Sequence, residues 1–243
     1  MKLFNTLRFK LIEGKRLKKY LLYAIGEIIL VVIGILVAVT INNYNENKKA
    51  EKECVKIAKQ IQQKLASDIA KIKETRQEIS ENLELYNLYL KKDKTEAERL
   101  TIVAQAPFLV TIGIQFLPVN LIVSSSLNKV ASQNTTLANK LMEIEQDYIV
   151  VDKTLRPMED IMKDELIKNI NHIKENFSWY EKLVGNNGKF TVEEYKYFGS
   201  DDYKNRVVHM RFLYVNGYDS ILEEVEQIYE THLEELNELL KDQ

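Results

Sequence analysis

The chain contains few of the residue types that most often interrupt or cross-link a fold. Its 243 residues include one cysteine, three prolines and eight glycines. A single cysteine excludes an internal disulfide framework. So few prolines and glycines disfavour the turn-rich sandwich and barrel folds. These scarcities together predict an all-α protein.

The one cysteine, Cys54, is compatible with two states. If the chain dimerises in an oxidising compartment, Cys54 can form a disulfide with Cys54 of a second copy. The alternative, which we favour, is a free thiol on a helix. The sequence leaves both open.

Recognisable catalytic motifs are also missing. There is no Gly-rich phosphate loop, no Gly-x-Ser-x-Gly segment and no Cys–His pair. The three histidines, His172, His209 and His232, lack the spacing of metal ligands and are interpreted as ordinary surface or core residues. Asp201 and Asp202 lack the glycine and closing glutamate of a calcium loop, so they fit a helix start better. We therefore predict no enzymatic activity, no cofactor and no metal site.

Charge is distributed unevenly along the chain. Residues 1–20 contain seven basic residues and one acid, whereas residues 43–243 contain 34 acids and 27 bases. Binding to nucleic acid requires clustered bases that neutralise phosphates. The acidic main part of the chain therefore argues against a nucleic-acid partner.

Residues 21–41 form an apolar run whose only charge is Glu27. As a helix the run spans about 31 Å, the thickness of a bilayer's hydrocarbon core. It is too long for the apolar part of a cleavable signal peptide and has no convincing cleavage site. We interpret it as an uncleaved anchor. The chain then divides into a basic segment (1–20), a transmembrane helix (21–42) and a helical domain (43–243).

Basic residues before the anchor predict its orientation. Six of them are assigned as a cytoplasmic anchor: Arg8, Lys10, Lys15, Arg16, Lys18 and Lys19. By the positive-inside rule they hold the N-terminus in the cytoplasm. This predicts a single-pass inner-membrane protein with a periplasmic C-terminal domain. Residues 3–12 fit a short helix lying on the inner leaflet, and a disordered basic tail is the alternative.

A carboxylate inside a membrane helix usually faces other protein rather than lipid. Glu27 borders a stripe of residues that recur every four positions, and small residues in such a stripe let two helix backbones approach closely. The pattern predicts a helix–helix contact formed by Gly26, Glu27, Leu30, Gly34 and Ala38. The alternative is that small residues are simply common in membrane helices.

The same segment resembles the signature of a family of single-pass membrane proteins frequent in flavobacteria and their relatives. The matching stretches are Tyr-Ala-Ile-Gly-Glu-Ile (23–28), Val-Val-Ile-Gly-Ile-Leu (31–36), Ile-Asn-Asn (41–43) and Asn-Glu (45–46). Tyr44 stands where the family commonly has tryptophan, and "FLPVNLIV" (116–123) replaces the family's Ser-Gly-containing segment. The resemblance implies a single-pass inner-membrane protein with a helical periplasmic domain and no known activity.

Beyond the anchor, apolar residues recur at helical spacing. The first stripe comprises Ile57, Ile61, Leu65, Ile69, Ile72, Ile79, Leu83, Tyr86 and Leu90. It predicts a long juxtamembrane amphipathic helix of roughly 40 residues. Three further helical stretches lie over 137–155, 161–179 and 202–241. Pro157 is predicted to end or restart a helix, and Gly217 to kink the last one. The whole predicts an up-and-down bundle of four or five helices.

Two other features support the helical interpretation. Thr191 with Glu194 matches a helix capping box, and Ser200 precedes another helix start. An aromatic group could line a ligand pocket, but core packing around the helix turns is the favoured interpretation. Its members are Phe177, Trp179, Tyr180, Tyr195, Tyr197 and Phe198.

Residues 100–128 contain no charge. By hydropathy, 102–123 could form a second membrane span. Two prolines, a glycine and several polar residues argue against it, as does the acidic C-terminal half that it would place in the cytoplasm. A buried segment or a partner-binding surface fits better, and the sequence does not decide between these alternatives.

The leading functional prediction is a membrane-anchored interaction or scaffold protein. It would contact the lipid bilayer and either self-associate or bind another envelope protein. The alternative is a ligand-sensing periplasmic domain that signals through its transmembrane helix to a separate effector. A separate effector is needed because the roughly twenty residues before the anchor are too few for an output domain.

Overall fold

The computed structural model describes residues 17–111, 116–117, 135–185 and 190–241, with side chains from residue 21 onward. Every regular element in these ranges is helical, which confirms the all-α class. The elements are α1 (Leu17–Leu90), α2 (Glu96–Gln105), a 3-10 turn (Ala106–Phe108), α3 (Thr136–Asn176), α4 (Tyr180–Val184), α5 (Val192–Tyr197), α6 (Asp201–Arg211), a π-helical segment (Phe212–Asp219) and α7 (Ser220–Lys241).

The chain divides into two units, residues 1–53 and 54–243, so the two parts of α1 are described separately. In the first unit, side chains from Ile28 to Ile41 are exposed around the whole helix, whereas Tyr23 and Ala24 are partly exposed. Among the described residues, α1 is the one helix long and apolar enough to cross a membrane. The predicted membrane-spanning helix is therefore present by length and composition.

In the second unit, α1 buries a single stripe. The buried apolar positions include Ile57, Ile61, Leu65, Ile69, Ile72, Ile79 and Tyr86. They repeat at intervals of three, four or seven residues, which places them on one face of a helix. Most of the charged residues at the intervening positions are exposed, whereas Asp68 is buried. The predicted long amphipathic helix is confirmed.

The rod formed by α6, the π-helical segment and α7 runs antiparallel to this part of α1. Gln62 donates a hydrogen bond to Asn237 near one end, and Arg76 pairs with Asp219 further along. The end of the bundle at which Cys54 lies is termed the Cys54 end, and the opposite one the distal end. The C-terminal turns of α7 thus lie at the Cys54 end.

Helices α1 and α3, by contrast, run in the same direction. Tyr148 of α3 bonds to Asp68 of α1, while Tyr86 of α1 and Asn169 of α3 both bond to the backbone at 109–110. The chain between α2 and α3 must therefore return from the distal end to the Cys54 end. One long connection between α2 and α3, termed the crossover, and one short corner formed by α4 and α5 join the helices of the bundle.

The uncharged segment supplies the start of this crossover. Helix α2 ends at Gln105 and the backbone turns, so the described part of 102–123 is not a membrane-spanning helix. Its described residues are mostly buried in the bundle: Ile102, Ala106, Pro107, Leu109, Val110, Thr111 and Leu117. They form buried interior, one of the predicted alternatives. Residues 112–115 and 118–123 lie outside the described ranges.

Helix α3 runs unbroken through Pro157, so the predicted helix end there is wrong. Buried positions continue in phase across the proline, from Val151 to Glu159 and Met162. Pro157 cannot donate to the carbonyl of Lys153 one turn earlier. Both residues lie on the exposed side of the helix, where water can bind that carbonyl.

Gly217, the predicted position of a kink in the last helix, lies within the π-helical segment. A Cβ atom on Gly217 would lie 2.1 Å from Cε of Met158 on α3. A larger residue at this position would therefore require the flexible end of Met158 to move. The predicted caps are also confirmed: Thr191 and Glu194 form a capping box on α5, and Ser200 caps α6.

Candidate functional site

The predicted helix–helix contact face is displayed openly on α1. No described atom lies within 4 Å of a Cβ added to Gly26 or Gly34. Leu30 is 73% exposed, Ala38 is exposed and Glu27 is partly exposed. The two glycines therefore leave space for a close neighbour, and the contact itself stays a prediction.

The predicted cytoplasmic anchor lies outside the described side chains. The residues concerned are Arg8, Lys10, Lys15, Arg16, Lys18 and Lys19. Of these, only the backbone of the last two is described, at the start of α1. The orientation of the chain across a membrane accordingly stays a prediction.

Cys54 is packed inside the start of the second unit and is only 2% exposed. Burial raises the pKa of its thiol above the ordinary value, which keeps the thiol protonated and weakly reactive. A side chain with so little exposed surface does not reach a second copy without local opening. The structure thus favours the free thiol over the interchain disulfide.

A tyrosine–carboxylate pair crosses the middle of the bundle. Tyr148 Oη donates a 2.9 Å hydrogen bond to Asp68 Oδ2, and Lys64 pairs with the same carboxylate. Tyr148 also stacks on Tyr229, with ring centroids 4.6 Å apart. Burial first, and then the charge of Asp68, raises the pKa of Tyr148, so its phenol remains a donor. This layer joins α1, α3 and α7.

A second polar layer fixes the crossover to the bundle. Tyr218 Oη accepts a 2.8 Å bond from the backbone N–H of Leu117 and donates a 3.2 Å bond to Glu159 Oε1. Lys163 Nζ lies 3.5 Å from Glu159 Oε2 and 4.6 Å from the ring centroid of Phe116. The buried carboxylate is therefore both hydrogen-bonded and neutralised, as a buried charge requires.

These two carboxylates are poorly arranged for acid–base catalysis. Asp68 and Glu159 are buried, and each is held by a tyrosine donor and a lysine. A general base must reach a substrate proton directly or through one water. Their arrangement is that of structural pairs joining helices.

The aromatic group forms packed core at the distal end. Phe177 lies 4.2 Å from Tyr197 and 4.8 Å from Trp179 between ring centroids, and Phe198 contacts Trp179 and Tyr203 edge-on or tilted. Rings that contact one another at these distances fill the space that a ligand would need. This agrees with the core interpretation of the sequence.

Two of the three histidines are ordinary surface residues: His172 is partly exposed and His209 is exposed. His172 Nε2 lies 3.3 Å from Asp202, and His209 Nε2 lies 4.0 Å from Glu165. Each contacts one carboxylate on a neighbouring helix. Both agree with the interpretation from sequence spacing.

The third, His232, belongs to a group that the sequence analysis did not assemble. Its Nε2 lies 2.7 Å from Asp147 Oδ2, and the carboxylates of Glu143 and Glu235 approach its ring. Lys140 pairs with both glutamates. Glu143 with Asp147, and His232 with Glu235, have the three- or four-residue spacing that places side chains on one helix face. That spacing is the available sequence signal, but the two pairs are far apart in the chain.

Comparison with known proteins gives one match. Residues 27–102 match the model of a family of unknown function, DUF6090. The matched range covers less than half of the chain, from the apolar part of α1 into α2. No curated protein and no solved structure matches the chain. The family description brings no activity, substrate or partner to this protein.

Proposed function

We propose that this protein is a membrane-anchored interaction or scaffold protein with an extracytoplasmic helical bundle. The observation that carries the proposal is the first part of α1, whose apolar side chains are exposed all around the helix from Ile28 to Ile41. Such a surface is stable only when lipid or another protein covers it. The proposal includes no catalytic residue, cofactor or nucleic-acid partner.

The charge distribution supports one orientation. Seven Lys or Arg residues precede the apolar segment, while residues 43–243 carry more acids than bases. The positive-inside rule then assigns the N-terminus to the cytoplasm and the bundle to the periplasm, across an inner membrane. The resemblance over residues 23–46 implies the same arrangement. We further propose that this resemblance and the DUF6090 match reflect one family.

The open faces of Gly26 and Gly34 support self-association or binding to another envelope protein. With Leu30 and Ala38 they form a face on which a second helix can approach closely, and Glu27 borders it. In lipid, such packing supplies association energy that hydrophobic burial cannot.

Membrane topology provides the first test. A reporter that is active only in the periplasm is fused after Gln243, and a second reporter that is active only in the cytoplasm is fused there in parallel. We expect activity from the periplasmic reporter alone, with the chain retained in the membrane fraction. Activity of the cytoplasmic fusion, or release of the chain into the soluble fraction, contradicts the proposal.

Self-association is tested by the mass of the chain in mild detergent. We expect Gly34→Leu to reduce the mass from that of an oligomer or complex to that of a monomer, because the larger side chain separates the helices. Val32→Leu is the control, since residue 32 is exposed and lies about 160° around the helix from Gly34. An unchanged mass for Gly34→Leu rejects the contact face.

A ligand-sensing role is the second candidate. It is favoured by an open cleft of about 500 Å³ at the Cys54 end, lined by Thr136, Asn139, Lys140, Glu143, Glu235, Glu238 and Leu239. A sensor would couple occupancy of such a cleft to α1 and so to a separate effector. Native mass spectrometry of the purified chain distinguishes the two candidates. A retained small molecule supports sensing, and a retained protein partner or second copy supports the scaffold.

A further inference from the structure

Two carboxylates and an imidazole meet between α3 and α7 at the Cys54 end. One ring nitrogen of His232 and one carboxylate oxygen each from Glu143 and Glu235 lie within 4.8 Å of one another. Oxygen and nitrogen ligands bind Zn²⁺ at about 2.0–2.2 Å, so two ligand atoms on one ion are at most about 4.3 Å apart. Small rotations of the two exposed glutamate side chains would bring the three atoms onto one ion.

His232 is buried and, in the described part of the chain, has one ring nitrogen bonded to a carboxylate and one without a partner. The residue is 4% exposed, and its Nδ1 is a buried nitrogen with no hydrogen-bond partner among the described residues. Its Nε2 lies 2.7 Å from Asp147 Oδ2. When Nε2–H donates to Asp147, the lone pair resides on Nδ1. A carboxylate behind a histidine fixes this tautomer and makes the free nitrogen a better ligand.

We propose that this protein binds one first-row divalent transition metal ion, such as Zn²⁺, through His232, Glu143 and Glu235. Asp147 positions the imidazole without binding the ion. Nitrogen and carboxylate ligands together favour ions of this class over Ca²⁺ and Mg²⁺, which prefer all-oxygen sites. The inference does not depend on the proposed scaffold role.

Lys140 is an internal competitor for the same two carboxylates. Its Nζ lies 3.0 Å from Glu143 and also pairs with Glu235, and the residue is 8% exposed. The site therefore holds an ammonium that a metal ion must displace, so the wild-type chain binds the ion weakly.

Binding has a defined structural consequence. The ion would tie the first turns of α3 to the last turns of α7, because Glu143 belongs to the former and His232 and Glu235 to the latter. An ion that binds only the folded bundle shifts the folding equilibrium toward it. The Cys54 end would thereby become more stable when the metal is present.

The test is calorimetric titration of the full chain with ZnCl₂ in mild detergent, after purification without a polyhistidine tag and removal of metal by chelation. We expect saturable one-to-one binding to the wild type. In Lys140→Met, loss of the competing ammonium should tighten binding by about tenfold. Asp147→Asn should weaken it by about 10–100-fold. Each variant is first checked for unchanged helix content by circular dichroism.

Two glutamate variants, one at a proposed ligand and one at its neighbour, are compared in the Lys140→Met background. Glu235→Gln should abolish one-to-one binding, whereas Glu234→Gln, at the exposed neighbouring position on α7, should leave it unchanged. Absence of saturable binding to the wild type at millimolar Zn²⁺ overturns the proposal. Binding that survives both Glu235→Gln and His232→Asn overturns it as well, because the ion then lies elsewhere.

Discussion

The two parts of α1 have the same backbone and opposite surfaces. Up to Ile41 the apolar side chains are exposed on every side, whereas from Cys54 onward they are confined to one buried stripe. The difference arises from the spacing of charged residues. Between residues 21 and 41 the only charge is Glu27, while beyond residue 47 charges recur in nearly every turn.

This contrast indicates what each part of the helix requires as a surrounding. A helix that is apolar all round needs an apolar surrounding on all sides, and an amphipathic helix needs a partner on one side only. In the second unit that partner is present, in α3 and in the rod ending with α7. In the first unit, the described side chains from Ile28 to Ile41 are exposed on all sides of the helix.

High pH should affect the two parts of α1 most differently, because it should unfold the bundle and leave the apolar segment unchanged. Burial raises the pKa of five bundle tyrosines above the ordinary value of 10: Tyr86, Tyr148, Tyr203, Tyr218 and Tyr229. Unfolding lets them ionise, so stability fully present below pH 10 is lost above it, by about 1.4 kcal/mol per pH unit for each tyrosine. We expect the bundle to unfold within about two pH units above 10.

Fluorescence of Trp179, the only tryptophan, reports this transition in detergent, because the residue is buried at the distal end. In membranes treated at the same pH the chain should stay in the pellet, since the apolar segment does not depend on tyrosine protonation. Trp179 fluorescence that does not change within about two pH units above 10 would contradict the buried positions of the tyrosines.

Truncating one leucine in each part should give unequal effects. Leu65→Ala removes a fully buried side chain and should lower the free energy of unfolding of the bundle by about 2–5 kcal/mol. Leu36→Ala removes a side chain that is exposed in the apolar part and should leave that free energy unchanged. Urea unfolding in detergent measures both. Equal losses would show that the two parts fold as one cooperative unit.

Replacing Pro157 tests whether packing or local backbone preference holds α3 together. Pro157→Ala restores a hydrogen bond to the carbonyl of Lys153 and should raise the free energy of unfolding by about 1–3 kcal/mol. Lys153→Ala, at an exposed position on the same helix, is the control and should have little effect. A decrease for Pro157→Ala would indicate that the proline itself shapes the contact with the π-helical segment.

The smallest change in stability is expected from the ion pairs between α1 and the rod that ends with α7. Arg76 pairs with Asp219, Glu223 and Glu226, so Arg76→Gln should lower the free energy of unfolding by about 1 kcal/mol at low salt. The loss should shrink in high salt because screening weakens these pairs. Lys73→Gln is the control, since Lys73 is more than half exposed and should contribute no measurable stability. A salt-independent loss for Arg76→Gln would indicate packing by its aliphatic stem instead.

Much of the fold could be predicted because its signals are local. The stripe from Ile57 to Tyr86, the apolar run at 21–41 and the capping box at Thr191 all depend on residues within a few turns of one another. Pro157 misled the prediction because a proline normally ends a helix. Here it falls on the exposed side, where its missing hydrogen bond costs least.

The remaining features depend on contacts between distant parts of the chain. Local patterns do not reveal that Tyr86 and Asn169 donate hydrogen bonds to adjacent backbone carbonyls, at residues 109 and 110. The crossover therefore could not be predicted. The group around His232 could not be predicted for the same reason, because Glu143 and His232 meet only after α3 and α7 have packed. The i, i+3 and i, i+4 pairs show which helix face each residue occupies, but they do not show which faces meet.

The crossover also determines how the bundle would respond to a pulling force. Because α7 runs back along α1, the bundle's first residues and its C-terminal turns lie at the same end, where Gln62 bonds to Asn237. Tension applied between the apolar part of α1 and Gln243 would separate the two antiparallel helices one contact after another, beginning at the Cys54 end.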